Sequence, residues 1–246
     1  RLPWSGDYWP THKGGITYRW HDQKKSDKDR YSYNLDQTMI SSKEDLSHLS
    51  PAEKFDLFMG HSDYPLTQYE RMRTKILHTV ENHPDYQEDF KIPEWEGLCH
   101  AWAPATLAFS EPQPVTLQGK TGMMIPFGSS DIKALLTYFL HLSSPKTYFL
   151  GRRCNIDIKK LKDDYQNKLI TYDDFVEQKK QCDDTHAGAF HVVLTNQISL
   201  LDQGFIADIT RDQEVWNQSV FAYESQIIDR YKGSSPGAAP GTTEEV

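Results

Sequence analysis

An α+β fold is what this chain predicts, and three patterns predict it. Segments with apolar residues at helical spacing alternate with short aromatic and β-branched runs suited to strands. One helix start, at Ser50, is spelled out by its capping residues. A cysteine, Cys99, opens an apolar, helix-compatible run directly after a glycine turn. At 246 residues the chain has ample apolar material for a core, in one large domain or two intimate lobes. The expected organisation is a two-lobed domain over residues 1–231 and a flexible tail over 232–246.

Taken in order, the first 40 residues are dense in aromatics and turn formers (Trp4, Tyr8, Trp9, Pro10, Gly14, Gly15, Tyr18, Trp20) and predict loops and short strands wrapping the body. At Ser50 the cap is followed by Pro51 at the first helical position and Glu53 three residues on, with Gly60 as the stop. Tyr69, Met72, Ile76, Leu77 and Val80 predict a second helix over residues 67–80. Pro84 and Pro93 bracket a loop leading to Cys99, and residues 99–109 predict a buried helix despite Pro104.

Residues 115–127 predict strand structure around the turn Gln118-Gly119-Lys120-Thr121-Gly122, followed by a helix after Asp131. The charged stretch 152–182 predicts a helical hairpin tied at its base by Cys154 and Cys182. Residues 189–198 and 204–209 predict two antiparallel strands against which the Cys99 helix packs. The tail's Gly-Ser-Ser-Pro-Gly-Ala-Ala-Pro-Gly run predicts a flexible end.

Charge and cysteines narrow the function classes. Lysines and arginines number 27 against 35 acidic residues, and the net charge of −8 argues against non-specific binding to nucleic acid or acidic membranes. No apolar run approaches the roughly 20 residues of a membrane span. The chain opens at Arg1-Leu2-Pro3-Trp4 with neither a signal peptide nor an initiator methionine, which reads as a processed or truncated form. A disulfide places the protein in an oxidising compartment, so secretion is expected; the alternative is three reduced cysteines in a cytosolic protein. Asn217-Gln218-Ser219 is a glycosylation sequon, a triplet that arises often by chance.

If Cys154 pairs with Cys182, Cys99 is left as a lone thiol. At a helix start it faces unpaired N–H groups and the positive end of the dipole, both of which favour the nucleophilic thiolate. A buried structural cysteine is the plain alternative, and the partners tip the balance. His191 opens one predicted strand and Asp208 lies on the next, so the two side chains are expected to meet across the ladder. Asp208 then orients the imidazole, and His191 activates the thiol and protonates a leaving amine. Competing bases are His186 and His100, and Asn217 competes with Asp208 as the orienting residue. The Cys99 backbone N–H is the default oxyanion donor, with Trp95 a guess for a side-chain donor and Trp102 read as core. The Asp-Asp pairs at 163/164, 173/174 and 183/184 do not fit a calcium-binding loop, and no zinc tetrad or phosphate-cradling loop is present.

The segment Val215-Trp216-Asn217-Gln218-Ser219-Val220-Phe221-Ala222-Tyr223-Glu224 resembles the surface peptide of the oomycete transglutaminase elicitors, a family with bacterial members. Pro3-Trp4-Ser5-Gly6-Asp7-Tyr8-Trp9-Pro10-Thr11, Leu49-Ser50-Pro51-Ala52-Glu53-Lys54 and Trp95-Glu96-Gly97-Leu98-Cys99-His100-Ala101-Trp102-Ala103 are similar to the same family. The resemblance implies a secreted transglutaminase that joins glutamine carboxamides to lysine amines of protein substrates through a cysteine thioester. It also implies a papain-like thiol core, calcium dependence, and recognition of residues 215–224 by host immune receptors. The family's peptide has proline after Asn-Gln, where this chain has Ser219, and the two differ again beyond Val220. Two other readings stay open: a papain-like protease or glutamine deamidase, and a non-enzymatic elicitor or interaction protein.

Overall fold

The computed structural model describes residues 2–35, 43–143, 145–151, 154–182, 185–210, 213–233 and 242–245. Its element order is mixed helix and short antiparallel strand, an α+β arrangement as the sequence predicts. Among its described residues, the aromatic N-terminal segment forms loops and three single-turn 3-10 helices, without the predicted strands.

After the short helix α1 (Lys43–His48), helix α2 (Pro51–Phe58) begins as its sequence dictates. The Ser50 side chain accepts from Glu53 N–H, the Glu53 carboxylate accepts from Ser50 N–H, and Pro51 takes the first position. Gly60 follows the helix at φ +78°, in the left-handed region that glycine tolerates. Helix α3 (Pro65–Thr74) stops earlier than predicted, because Lys75 turns left-handed at φ 53° and a 3-10 turn over Ile76–Thr79 continues the chain. Its buried face is also not the apolar one. Tyr69 and Met72 point to solvent, while Thr67, Glu70, Arg71 and Thr74 are buried. That polar face is satisfied. Asp56 accepts from Thr67 N–H and Oγ1, and Glu70 is gripped by Arg73 at 2.6 and 2.8 Å.

Helix α4 (Cys99–Ala108) packs against α5 (Ser129–Ser143) on one side, and the hairpin β1 (Val115–Gln118) and β2 (Met124–Phe127) connects the two. Two apolar clusters hold this part together. Trp9, Ile16, Ala52, Leu98, Ala134 and Tyr138 form one; Leu46, Leu49, Leu57, Tyr64, Ile125 and Phe127 form the other. Lys54 and Asp131 lie buried between α2 and α5 at 2.6 Å, and Asp131 also accepts from Trp20 Nε1 and Gly128 N–H.

Beyond residue 145 come helices α6 (Ile158–Gln166) and α7 (Tyr172–Lys179), capped by Asp157 and Thr171 and closed by the Cys154–Cys182 disulfide, as predicted. The predicted strand over residues 189–198 is instead helix α8 (Ala187–Val193), running on as a π-helical turn over Leu194–Leu200. Its short apolar run fits helix or strand equally by pattern, and the i, i+4 backbone bonds decide for helix. Strand β3 (Phe205–Asp208) forms near its predicted place, but its antiparallel partner is β4 (Asn217–Val220). Strands β5 (Tyr231–Lys232) and β6 (Glu244–Glu245) pair in the tail; residues 234–241 and 246, and the pair Asp183 and Asp184, lie outside the described residues. No described helix is long and apolar enough to cross a membrane.

Candidate functional site

Cys99 is set in place by its neighbours in the chain. The approach loop lies along the N-terminal segment through Leu98 N–H to Tyr8 O at 2.6 Å, Thr11 N–H to Glu96 O at 2.8 Å, and Tyr8 Oη to Glu94 O at 2.7 Å. Gly97 permits that approach, since a Cβ there would meet Tyr8 O at 2.5 Å and Tyr8 Cδ2 at 2.6 Å. Leu98 is then fully buried as the residue before the helix, and Cys99 becomes the first residue of α4. Its thiol is free of any disulfide, and the residue is 7% exposed. Among the described residues the Cys99 backbone N–H has no partner, as helix geometry requires at a first position.

The other face of α4 receives the ribbon of β3 and β4. Gly204 passes so close that a Cβ would meet Leu107 Cδ2 and Val220 O, each at 2.8 Å. Ser219 Oγ donates to the Ala103 carbonyl at 2.7 Å and shares a bond with Thr106 Oγ1 at 2.7 Å. This docking delivers residues 215–217 to the thiol. Cys99 Sγ donates to Val215 O at 3.2 Å, and Asn217 Nδ2 donates to Sγ at 3.6 Å. The Trp216 ring packs on Tyr8, with centroids 5.2 Å apart.

Of the expected triad, no two of the three side chains are hydrogen-bonded to each other. Asp208 sits opposite Asn217 in the register, not opposite His191. Its Oδ1 accepts from Trp216 N–H at 3.0 Å, from Thr210 N–H at 3.2 Å and from Thr210 Oγ1 at 2.8 Å, so it holds the turn that carries Val215 and Asn217. His191 is exposed on α8 and hydrogen-bonds neither Cys99 nor Asp208. The reason is the helix. Phe190 packs on Phe205 at 6.1 Å, the end of β3 that lies three positions, about 10 Å, from Asp208.

The remaining candidates are placed as follows. His186 caps α8, accepting from Gly188 N–H at 3.1 Å, and is exposed. Trp95 is half-buried in the approach loop, and Trp102 packs against Gly6. His100 Nε2 and His141 Nδ1 lie 3.0 Å apart. Both imidazoles are held below the ordinary histidine value: His100 by burial, then His141 and Arg73, and His141 by burial, then Arg73. Asn217, weighed only as a substitute for Asp208, is the side chain that reaches the sulfur. The sequon-like cluster Asn217-Gln218-Ser219 was its available signal, because both polar side chains turn toward α4.

Among the described residues, no group of three or more His, Cys, Asp or Glu side chains converges to hold a metal ion. A family model described as Transglutaminase elicitor matches residues 1–238. No curated protein and no solved structure matches the chain.

Proposed function

The chain belongs to the transglutaminase elicitor family, and from that premise we propose that it is a protein-glutamine γ-glutamyltransferase with Cys99 as nucleophile. The observation that carries the reading is the free thiol at the first position of α4, held between the Val215 carbonyl and the Asn217 amide. In this chemistry Cys99 Sγ attacks a glutamine carboxamide carbon, and the tetrahedral intermediate collapses with loss of ammonia to a thioester. A lysine amine then attacks the thioester carbon, forming the isopeptide bond and returning the thiol. A papain-like arrangement, in which a nucleophile helix lies against an antiparallel sheet, is the core this reading expects, and the packing of β3 and β4 on α4 supports it.

The thiol proton points at Val215 O, so the arrangement is a resting one and a base must displace that carbonyl to take the proton. His191 is assigned that role, which requires α8 to leave its contact at Phe205. Asp208 acts as a positioning residue through the turn it fastens. Loss of amine incorporation in His191→Ala with retention in His186→Ala supports the assignment, and the reverse pattern removes it.

Incubation with a glutamine donor protein and a fluorescent primary amine tests the reaction itself. Amine incorporation that disappears in Cys99→Ala is the expected result. Ammonia release without incorporation makes the protein a deamidase, and peptide cleavage makes it a protease. The intramolecular disulfide fits an extracellular, secreted protein. Exposure of Phe221 and Glu224 favours a second role, in which a host receptor reads the outer part of residues 215–224. That role survives Cys99→Ala; the enzymatic one does not.

A further inference from the structure

We propose that the Asn217 side-chain amide is an oxyanion donor, working with the backbone N–H of Cys99. The inference rests on the acyl-transfer reading of Cys99 and adds a residue to it. Asn217 Nδ2 has Cys99 Sγ, at 3.6 Å, as its single hydrogen-bond partner among the described residues. Sulfur is a weak acceptor, so a half-buried amide spends its donor capacity poorly there. A better acceptor at the same place completes it. When Sγ bonds to a glutamine carbonyl carbon, the carbonyl oxygen takes up negative charge one bond beyond the sulfur. That oxygen comes within reach of donors already gathered about Sγ. Two donors are available: the unpartnered N–H of Cys99 at the helix start, and Asn217 Nδ2.

The surroundings keep Asn217 where this role needs it. It opens β4, whose Ser219 is bonded to Ala103 O and Thr106 on α4, the helix that Cys99 begins. On its other flank Trp216 N–H is held by Asp208 and the Trp216 ring by Tyr8. The donor is therefore fixed from both sides before substrate arrives, as electrostatic preorganisation requires. Trp95, the guess offered from sequence, is not needed for this role.

The test separates an oxyanion donor from a residue that only holds the thiol. Alkylation of Cys99 by iodoacetamide needs the thiolate but generates no oxyanion, whereas acyl transfer needs both. Asn217→Ala is expected to lower kcat for amine incorporation about 10²-fold, with KM little changed. Its alkylation rate and the pH profile of that rate should stay within about twofold of the parent. Asn217→Leu nearly keeps the side-chain shape but removes the donor without adding a charge beside the sulfur, and is expected to lose transfer in the same way while retaining alkylation. It stands in should Asn217→Ala fail to fold.

Transfer and alkylation falling together would assign Asn217 to thiol placement and overturn the proposal. Undiminished transfer in both variants would overturn it as well. If the parent chain alkylates at Cys99 but transfers no acyl group to amine or water, the acyl-transfer reading fails and takes this one with it. Parent activity with normal activity in the variants removes the Asn217 role alone.

Discussion

Residues up to 143 and residues from 145 onward are built differently, and the candidate site lies where they meet. The first region contains nearly all the buried side chains of the described chain, including whole charged groups such as Lys54, Glu53, Glu70 and Asp131. Among the described residues of the second region only Cys154 and Leu161 are buried. Its order comes from local devices instead: a disulfide, two helix caps, and a two-stranded ribbon latched to α4 by Ser219. Cys99 therefore belongs to the rigid region, and its partners Val215 and Asn217 belong to the thin one. A nucleophile fixed by a core, with companions on a ribbon latched to it by a few named bonds, suits a site that must admit a polymeric substrate.

Four changes break or sharpen that contrast, in falling order of effect. Asp131→Ala strands the Lys54 ammonium, 1% exposed, without its carboxylate. Urea unfolding should show a loss of about 3 to 5 kcal/mol, with the Cys99 site lost as well. Next, replacing Cys154 and Cys182 by serine opens a closure of 28 residues. Its cost of about 3 to 4 kcal/mol should fall on α6 and α7 alone. Hydrogen exchange should rise there, while Cys99 alkylation stays at the parent rate. If Cys99 reactivity changes equally, the two regions are one cooperative unit.

Ser219→Ala removes the latch and should weaken ribbon docking by about 1 to 2 kcal/mol. Faster exchange of β4 amides with an unchanged main transition is the expected signature. The smallest effect comes from pH. His100 and His141 titrate lower in the fold than their ordinary value of 6.5, so the unfolded chain binds more protons as pH falls through that value. Their contribution to stability is complete above it and is lost progressively below. Melting at about pH 7.5 and about pH 5 should differ by a few degrees more in the parent than in a His100→Leu/His141→Leu double variant.

Much of the first region was legible because its signals are local. Ser50, Pro51 and Glu53 sit within four residues, and each acts on its neighbour. Gly97 and the apolar run after it mark the α4 start in the same way, and the disulfide follows from two cysteines flanking one charged hairpin. Misreadings occurred where tertiary docking decides. Tyr69 and Met72 trace an apolar stripe that faces water, because Asp56 and Arg73 satisfy the polar face beneath α3. His191 lies in a run that pattern alone cannot divide between helix and strand. Without the predicted ladder, Asp208 turns to its own loop and Asn217 takes the place beside the sulfur. Val215 acts through a carbonyl, which no side-chain pattern reveals.

The central claim is that Cys99 carries the acyl group. Incubating the protein with a glutamine-containing peptide and no amine, quenching in acid, and mapping by mass under non-reducing conditions tests it directly. The account predicts a peptide mass, less ammonia, on the fragment containing Cys99, discharged by added primary amine, with Cys154 still joined to Cys182. Amine incorporation with Cys99 unmodified, or undiminished in Cys99→Ala, would contradict it.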